Sequence, residues 1–501
     1  MRLFEMLLFM ACMGLLASLF VSNPRIRSCA LLWNSGAGST VVVIQLFVEG
    51  YRIQLVFLYG LPVLMLLLSL FNLLRTQTAV RRESRIRRVW VRLLLVFGLI
   101  ATAGLNYAFP VFRLPAPTGK LSVGTQVFHL TDLNREETFG ESGSGKRELM
   151  IQVWYPAESG NGKSASLIPD SAILPYMAEN YGLPGFTFHH LKYVSGHAYP
   201  AAKVSSAQTS YPLILASPGF GSSRFLHTSQ AENLASHGYI VAVIDHTYNT
   251  FATEFPDGRI TTAATNDLFS PDDDYRTGTR IRDKLGEVLT ADVAFVLDQF
   301  ELIQSGQLPS GMQGRIDLKH VGVFGHSIGG ATAYNAAYDP RITAGIDLDG
   351  GLYRLRDRER LRKPFLFLNS ESYYHTLQTV MDNRVYTDEE LQQMGKTREW
   401  MEQEREDKKR ELERMRESVP AGGEFLYIEH TEHLNFTDVQ YISPVFKLLG
   451  ITGELAPERA SSLINAYMLD FFDLYLKNKA GALMKGPASR FPEVKFVTPL
   501  Q

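Results

Sequence analysis

Residues 321–330 read V-G-V-F-G-H-S-I-G-G, an apolar run followed at once by glycines that flank a serine. The run 321–324 predicts a buried strand, and the small residues from Ala331 onward can begin a helix. Gly325 and Gly329 let the backbone approach closely around a tight, strained turn. A serine at the tip of such a strand–turn–helix unit, here Ser327, is typical of a nucleophile. A chance match to G-x-S-x-G is the alternative, because the chain has 40 glycines.

The composition limits the classes of protein to which the chain can belong. Its 501 residues suffice for one large domain and a further segment. The net charge of −2 gives no general attraction to nucleic acid. The two cysteines, Cys12 and Cys29, both lie in the apolar first part of the chain. We therefore expect no disulfide framework and no cysteine-based metal site in the rest. No cofactor is expected for the chain.

Residues 1–112 are predicted to form an all-α transmembrane anchor. A helix needs about 20 apolar residues to cross a bilayer, and three runs come close to that length: 3–21, 55–74 and 93–109. Residues 40–48 are a weaker candidate, because the polar and glycine-containing stretch 34–38 interrupts the run before them. They form either a fourth span or an interfacial segment, so the anchor has three or four spans.

An arginine-rich stretch predicts the orientation of the anchor. Residues 75–92 contain seven arginines against one acidic residue, Glu83, and lie between two predicted spans. Such a loop is expected on the cytoplasmic side of a membrane. Everything beyond the linker at residues 113–120 is then outside the cytoplasm. Arg25 and Arg27 are cytoplasmic only if there are four spans, which favours four.

Residues 121–501 are predicted to form one catalytic domain of the α/β class, with a doubly wound and mostly parallel sheet. Short apolar runs alternate with helical segments, which is the pattern of βαβ units with right-handed crossovers. The predicted strands lie within residues 121–130, 148–155, 212–217, 238–246, 321–324, 342–349, 364–369 and 423–430. The last of these is expected to be the last strand of the sheet.

A glycine turn, Gly219-Phe220-Gly221, follows the strand at 212–217. Glycines in this place let a backbone N–H point inward, and the Phe220 N–H is a candidate donor to an oxyanion. The Ile328 N–H, directly after the nucleophile, is the second candidate. An ordinary turn from strand to helix is one alternative. A phosphate cradle at a helix start is another, although no lysine follows as in a Walker loop.

An acid and a base follow the serine in the order that a Ser-His-Asp triad requires in this fold class. The triad needs a buried carboxylate at the C-terminal end of a strand, and Asp349, at the start of a loop, is the first choice, with Asp347 as the second. His433 follows the last predicted strand, where the general base belongs. His430 competes with it but lies within the strand, and His326 is held in the turn.

A charged insertion interrupts the βαβ rhythm at about residues 385–418. It is dense in Glu, Lys and Arg and predicts a long polar helix or a helical pair. Its thin apolar stripe could dock as a lid, touch the membrane or bind a partner. A largely solvated helix is the default interpretation.

Together these residues resemble the plasma-type platelet-activating-factor acetylhydrolases and their bacterial relatives, which have the α/β-hydrolase fold. The stretches that carry the resemblance are 217–224, 234–241, 325–330, 347–349 and 433–438. The resemblance implies hydrolysis of short or oxidised acyl chains from phospholipids without a metal. It implies Ser327 as nucleophile, Asp349 as acid, His433 as base, and the N–H groups of Phe220 and Ile328 as oxyanion donors.

We therefore expect a membrane-anchored serine esterase whose catalytic domain lies outside the cytoplasm of a bacterial cell. Its expected partners are an ester or lipid substrate and the membrane, and not nucleic acid. An acyltransferase that uses the same triad is one alternative. A catalytically silent hydrolase fold that acts as a receptor or scaffold is another, because a fold does not by itself determine a function.

Overall fold

The computed structural model describes residues 2–74, 85–140, 145–158, 160, 162–264, 268–270, 273–354, 358–382 and 384–497. Contacts divide the chain into two compact units. The first contains residues 1–112 with two later segments, 184–193 and 442–445, and the second contains the remainder. The first ten residues of the predicted arginine-rich loop, 75–84, lie outside the described residues.

Four apolar helices make up most of the first unit: α1 (Leu3–Ser18), α2 (Pro24–Val48), α3 (Val56–Leu74) and α4 (Arg85–Ala108). Three segments are long and apolar enough to cross a membrane: Pro24–Val48, Ile53–Leu74 and Val89–Ala108. Helix α1 is apolar but has only 16 residues. The described part of the chain therefore contains three helices of spanning length and one shorter companion.

The interruption predicted at residues 34–38 is absent, because α2 continues through it as one helix of 25 residues. The polar Asn34 is satisfied by the neighbouring helix, where its Nδ2 lies 2.9 Å from Ser18 Oγ and 3.3 Å from the Gly14 oxygen. Gly38 lies against Pro62 of α3, and a Cβ at Gly38 would come within 2.8 Å of that ring. Small residues of this kind let apolar helices pack closely.

Polar contacts identify which helix ends lie together in the first unit. The Arg52 guanidinium lies 2.8 Å from Glu5 and 3.1 Å from Asn106, so the start of α1 and the end of α4 share one end of the unit. At the opposite end, Arg92 Nη2 donates to the Leu19 oxygen at 2.6 Å. The four helices therefore alternate in direction.

A sheet of ten described strands organises the second unit, in the order β12-β11-β10-β9-β8-β4-β5-β2-β1-β3. The neighbours from β11 to β5 run parallel, whereas β2 is antiparallel to both β5 and β1. The strands of this sheet are β1 (Ser122–Glu136), β2 (Lys146–Ala157), β3 (Tyr199–Pro200), β4 (Tyr211–Ser217), β5 (Ile240–Asp245), β8 (Ile316–His326), β9 (Ile342–Leu348), β10 (Phe365–Ser370), β11 (Glu424–Ile428) and β12 (Val494–Phe496). A separate hairpin pairs β6 (Ala252–Glu254) with β7 (Ile260–Thr262).

Helices cover both faces of this sheet, as expected for doubly wound α/β proteins. The described helices that follow β2 in the chain are α5 (Leu174–Asn180), α6 (Thr228–Ser236), α7 (Tyr275–Ser305), α8 (Ile328–Ala336), α9 (Glu371–Met381), α10 (Asp388–Met394), α11 (Arg398–Ser418), α12 (Val445–Leu448) and α13 (Pro457–Lys477). Strand β4 illustrates the two-sided core: Leu213 and Leu215 pack in one apolar cluster, and Ile214 and Ala216 pack in the other. The predicted α/β class is confirmed.

The strand predicted at residues 423–430 is not the last one. β12 follows it in the chain and pairs antiparallel with β11 at the edge of the sheet. It has three residues, which is too short for a period-two pattern to stand out in the sequence.

The register of the central strands brings the functional segments to one edge of the sheet. Ser217 of β4 pairs with Gly325 of β8, and His326 pairs with Leu348 of β9. The chain leaves β4 for β5 on one side and places β8 on the other, so the sheet reverses its winding between β4 and β8. Ligands of open α/β sheets bind at such a switch point, beyond the carboxyl ends of the strands.

Candidate active site

Ser327 is the single residue between β8 and α8, and its backbone is strained. It has φ 58° and ψ −126°, a conformation that side-chain-bearing residues rarely adopt. Its N–H donates to the Leu348 oxygen at 3.1 Å, and its oxygen accepts from the Gly330 N–H at 2.9 Å. Residues held in such a conformation cluster at functional sites. The turn presents Ser327, which is half-buried, beyond the end of the strand.

The two glycines of the turn are required by close backbone contacts. A Cβ on Gly325 would lie 1.9 Å from the Gly329 oxygen. A Cβ on Gly329 would lie 1.9 Å from the Ser217 oxygen of β4. Neither neighbour is a flexible side chain that could move aside, so no larger residue fits at either position.

Gly329→Ala should therefore lower the free energy of unfolding by about 3 kcal/mol or more, since an overpacked backbone cannot relax at little cost. Gly278→Ala in α7 is the matched control, because nothing lies within 4 Å of its added Cβ. Alanine at that helical position should raise stability by up to about 1 kcal/mol. Unfolding of the two purified variants in detergent measures both effects, and equal stability of the two variants would contradict this interpretation.

Asp349 lies one residue beyond β9 and is paired with a histidine. Its Oδ2 lies 2.7 Å from His433 Nδ1, and its Oδ1 accepts from the Ser370 N–H at 2.5 Å. Asp349 is buried, with a left-handed backbone at φ 55°. Both carboxylate oxygens thus have partners, and the side chain can orient a histidine as the acid of a triad does.

Asp347, the second choice for the acid, has a different environment. It is fully buried at the end of β9, and burial, followed by the negative charge of Asp349, raises its pKa well above the usual range. The neutral form of this carboxyl is therefore favoured. The structure pairs His433 with Asp349 and not with Asp347.

His433 begins a short 3₁₀ turn, His433–Phe436, after β11. Its side chain is 47% exposed, so the ring is open to solvent on one side. Its backbone oxygen accepts a hydrogen bond from His326 Nε2 at 3.0 Å, and the two rings are 4.4 Å apart. His430, the competing base, lies two residues beyond the end of β11 and not within it; it donates its backbone N–H to Glu371 and makes no hydrogen bond to Asp349 among the described residues.

His326 thus supports the loop that carries His433, a role that the sequence did not indicate. Burial, and then the rings of His433 and His227, lower its pKa well below the usual value, so His326 is neutral. Its Nε2 carries the proton that bonds the His433 oxygen. The residue before the serine therefore holds the loop that carries the histidine.

The serine and the histidine are not yet hydrogen-bonded. Within the described residues, the Ser327 hydroxyl makes no hydrogen bond to His433 Nε2. Catalytic hydrogen bonds are often long or misaligned before substrate binds. Rotation of the Ser327 side chain about its Cα–Cβ bond moves only the hydroxyl, so the backbone of the turn need not move when the hydroxyl turns towards His433.

Two backbone N–H groups lie close to the serine without hydrogen-bond partners in the described chain, those of Phe220 and Ile328. Ile328 is the first residue of α8, where a helix leaves its N–H groups unpaired and carries a partial positive charge. The turn at Gly219 abuts the nucleophile, since a Cβ on Gly219 would lie 3.1 Å from Ser327 Cβ. The arrangement can therefore accept a negatively charged oxygen.

An apolar rim lies beside this turn. The rings of Phe220 and Phe269 meet edge to face at 6.2 Å, and they are 39% and 38% exposed. Leu268 is exposed to a similar extent. The Ile328 side chain packs against the buried cluster of Phe139, Leu285 and Leu289. Apolar groups of this kind can bind the hydrocarbon part of an ester.

The charged insertion forms two helices, α10 and α11, and α11 is not merely solvated. Glu411 is buried; its Oε1 accepts from the Leu352 N–H at 3.1 Å and from the Tyr373 hydroxyl at 2.5 Å. Leu352 belongs to the loop that begins at Asp349. A cavity of about 670 Å³ lies between α11, this loop and the start of α7, and neither Ser327 nor His433 lines it.

Metal coordination is the remaining chemistry to consider. Among the described residues, no group of three or more His, Cys, Asp or Glu side chains is arranged to hold a metal ion. The reacting groups identified above are all side chains and backbone amides.

Asp438, close after His433 in the chain, should make stability depend on pH. It is fully buried and accepts from the N–H and the hydroxyl of Ser229; burial raises its pKa to about 7. The folded state then holds a proton that the unfolded state loses above pH 4. The free energy of unfolding should fall by about 1.4 kcal/mol per pH unit from about pH 4 to about pH 7 and then level off.

Asp438→Asn removes this titration and keeps the shape of the neutral acid. Its melting temperature should equal that of the wild type near pH 4 and exceed it at pH 8. Thermal unfolding of both proteins across this pH range measures the difference, and parallel curves would refute the assignment.

Comparisons with known proteins identify relatives of this chain. Residues 107–266 and 290–483 match the family described as platelet-activating factor acetylhydrolase, isoform II. The "probable 1-alkyl-2-acetylglycerophosphocholine esterase" of Arthroderma benhamiae is 25% identical over 418 residues, covering 80% of this chain and 98% of that protein. The platelet-activating factor acetylhydrolase of Cavia porcellus is 25% identical over 438 residues, covering 82% and 89%.

A solved structure is similar to most of the chain. The ferulic acid esterase from Streptomyces cinnamoneus aligns with a TM-score of 0.58 and 27% identity, covering 77% of this chain and 98% of that one. The family match extends over more than half of the chain, and the named relatives and the solved neighbour are all esterases. The chain therefore belongs to the platelet-activating factor acetylhydrolase isoform II family of α/β-hydrolases and is a carboxylic ester hydrolase of the serine type.

Proposed function

We propose that this protein is a membrane-anchored serine esterase with Ser327 as nucleophile, His433 as general base and Asp349 as the acid. The observation that carries the proposal is the 2.7 Å contact between Asp349 Oδ2 and His433 Nδ1 beside a strained serine turn. The same constellation of roles recurs in serine hydrolases on unrelated folds.

The proposed reaction follows from this geometry. His433 Nε2 takes the proton of the Ser327 hydroxyl as Ser327 Oγ attacks the ester carbonyl carbon. The carbonyl oxygen becomes an oxyanion, which the N–H groups of Phe220 and Ile328 stabilise. The tetrahedral intermediate collapses, and His433 gives its proton to the leaving alcohol. Water, activated by His433 in the same way, attacks the acyl-enzyme and releases the acid.

Asp349 serves the histidine rather than the substrate in this mechanism. Its carboxylate accepts a hydrogen bond from His433 Nδ1–H, which keeps the proton on Nδ1 and leaves Nε2 unprotonated and directed away from the acid. It also stabilises the imidazolium that forms when the serine loses its proton. Its second oxygen is held by the Ser370 N–H, which fixes the carboxylate plane.

For the substrate, we propose esters with short or oxidised acyl chains, including those of phospholipid type. Support comes from the relative named as a 1-alkyl-2-acetylglycerophosphocholine esterase and from the apolar rim at Phe220 and Phe269. A similar solved structure is a ferulic acid esterase, so simple and aromatic esters belong in the same screen.

The experiment is a comparison of acyl lengths with the purified full chain in detergent. We expect hydrolysis of p-nitrophenyl esters to be fastest for acetyl and to fall towards dodecanoyl. We expect a 2-acetyl glycerophosphocholine to be hydrolysed faster than a phosphatidylcholine with two long chains. Preference for the long chains, or for methyl ferulate over all acetyl esters, would contradict the proposed substrate class.

We propose further that residues 1–112 anchor the protein in a bacterial plasma membrane and that 113–120 link them to a catalytic domain at 121–501 outside the cytoplasm. Helices α1–α4 alternate in direction, so Arg25 and Arg27 share an end with Arg85 at the start of α4. Positively charged ends of this kind face the cytoplasm. Alkaline phosphatase fused after residue 120 should be active and fused near residue 80 inactive; the reverse result would overturn the orientation.

A further inference from the structure

A second chain of serine, histidine and aspartate lies next to the proposed oxyanion turn. The Ser217 hydroxyl is 2.8 Å from His246 Nε2, and His246 Nδ1 is 2.9 Å from Asp292 Oδ2. Ser217 ends β4, His246 directly follows β5, and Asp292 lies in the middle of α7. None of the three takes part in the ester hydrolysis proposed above.

The burial of these three side chains excludes them as a second catalytic centre. Ser217 and His246 are each 1% exposed and Asp292 is 0% exposed, so no ester can reach the Ser217 hydroxyl. Ser217 instead pairs with Gly325 in the sheet, and its carbonyl oxygen faces Gly329. The hydrogen-bonded chain thus fixes the end of a strand that touches the serine turn.

Arg147 binds Asp292, the last of these three hydrogen-bonded residues, and keeps its carboxylate ionised. Its Nη2 and Nε lie 2.6 and 3.1 Å from the two Asp292 carboxylate oxygens. Burial raises the pKa of Asp292, but the charge of Arg147 and the hydrogen bonds from His246 and Arg147 outweigh burial and bring the pKa below its usual value. A carboxylate only accepts, so His246 Nδ1 donates to Asp292, and His246 Nε2 is the atom that shares the 2.8 Å hydrogen bond with the Ser217 hydroxyl.

The residue before this histidine holds the other end of the same turn. Asp245 accepts from Ser223 Oγ at 3.1 Å and from the Arg224 N–H at 2.7 Å, and it forms a buried ion pair with the Arg224 guanidinium. Between these ends, the Gly221 N–H donates to the Asn249 oxygen at 2.9 Å. The end of β5 and the loop after it therefore contact the turn at its start, its middle and its end.

We propose that Asp245 and His246 are positioning residues that hold residues 217–224 at both ends and thereby place the Phe220 N–H in the oxyanion hole. This inference rests on the proposed esterase mechanism and adds to it the device that aligns one of its donors. An oxyanion donor acts where charge develops in the transition state. Displacing the turn should therefore reduce kcat and leave substrate binding nearly unchanged.

The test uses the full-length protein and removes the Ser217–His246 hydrogen bond by substituting one partner at a time. Ser217→Ala deletes the hydroxyl. His246→Asn keeps an N–H for Asp292 and deletes the nitrogen that faces Ser217. We expect each variant to lower kcat for p-nitrophenyl acetate by about 10- to 100-fold. This decrease is no larger than the decrease in kcat caused by removing a whole oxyanion donor. KM should change by less than about twofold, because ground-state binding does not use the donor.

Two further readouts separate positioning from a general loss of structure. A trifluoromethyl ketone forms an oxyanion with the serine, so its inhibition constant should rise by about the same factor as kcat falls. The double variant should be no slower than the slower single variant, because both substitutions remove the same bond. Ser236→Ala in α6, another buried serine whose hydroxyl bonds a helix carbonyl, should leave kcat unchanged.

The proposal is overturned if either variant, with a wild-type thermal transition, keeps wild-type kcat and inhibitor affinity. It is equally overturned if KM rises while kcat holds, or if the single effects multiply in the double variant. If one of the two single variants does not fold, the other variant alone decides the test. Failure of the esterase mechanism itself is distinguishable, because wild-type protein would then show no hydrolysis that depends on Ser327.

Discussion

Ser327→Ala should lower kcat for p-nitrophenyl acetate by about 10⁴- to 10⁶-fold, the range by which loss of the nucleophile slows serine hydrolases. The alanine has no oxygen to form the acyl-enzyme, and no other hydroxyl occupies the tip of the turn. The melting temperature should stay close to that of the wild type, since the Ser327 hydroxyl has no hydrogen-bond partner among the described residues. Steady-state kinetics of the purified full chain measure the effect.

Ser305→Ala at the end of α7 is the control for this experiment, because its hydroxyl bonds only a helix carbonyl and the neighbouring Gln307 side chain. It should keep wild-type kcat. If Ser327→Ala retained even a tenth of the wild-type rate, another residue would have to be the nucleophile.

Asp349→Asn should lower kcat by about 10⁴-fold, the cost of replacing the acid of a triad by its amide. The asparagine presents an N–H or a weaker acceptor to His433 Nδ1 and favours the tautomer that protonates Nε2. The ring then cannot take the proton from Ser327. KM should change little, because Asp349 does not touch the substrate in this mechanism.

Asp347→Asn is the matched comparison two residues away. Asp347 is buried and its pKa is raised, which favours the neutral acid, so the amide replaces a carboxyl of similar shape, and kcat should remain close to wild type. The ratio of the two variants distinguishes the two candidate acids. A large loss for Asp347→Asn together with an active Asp349→Asn would reassign the acid to Asp347.

Much of the fold could be predicted because its elements are strongly patterned. Each central parallel strand is a continuous apolar run bounded by glycine or polar residues, and the serine turn requires glycine at two positions for steric reasons. The α/β class and the family were accordingly confirmed. The assignment of Ser327, Asp349 and His433 stays a prediction, although their placement at one edge of the sheet supports it.

Elements without a distinctive local pattern could not be predicted. Strand β12 has only three residues, and α2 continues through a polar stretch that reads as a break. In that helix, Asn34 is satisfied by Ser18 of α1, a contact between segments distant in sequence. Backbone groups in apolar surroundings must be bonded internally, which favours an unbroken helix over an exposed loop.

The supporting residues of the site depend on the same kind of distant contact. Nothing near His326 in the sequence indicates that its ring bonds the His433 oxygen, and nothing near Ser217 indicates His246 or Asp292. The docking of α11 onto the loop after Asp349 was likewise hidden, because Glu411 is one acidic residue among many in the insertion. From the sequence alone, a charged side chain is predicted to be solvated unless its partner is known.

The most direct measurement is the site of covalent labelling by a fluorophosphonate that reacts with activated serines. The intact protein is labelled in detergent, digested and analysed by peptide mass spectrometry, with esterase activity followed in parallel. We predict one adduct per chain, on Ser327, that grows as activity disappears and is absent from Ser327→Ala. An active enzyme that is labelled on a different residue, or that loses no activity when Ser327 is fully labelled, would contradict the assignment of Ser327 as the nucleophile.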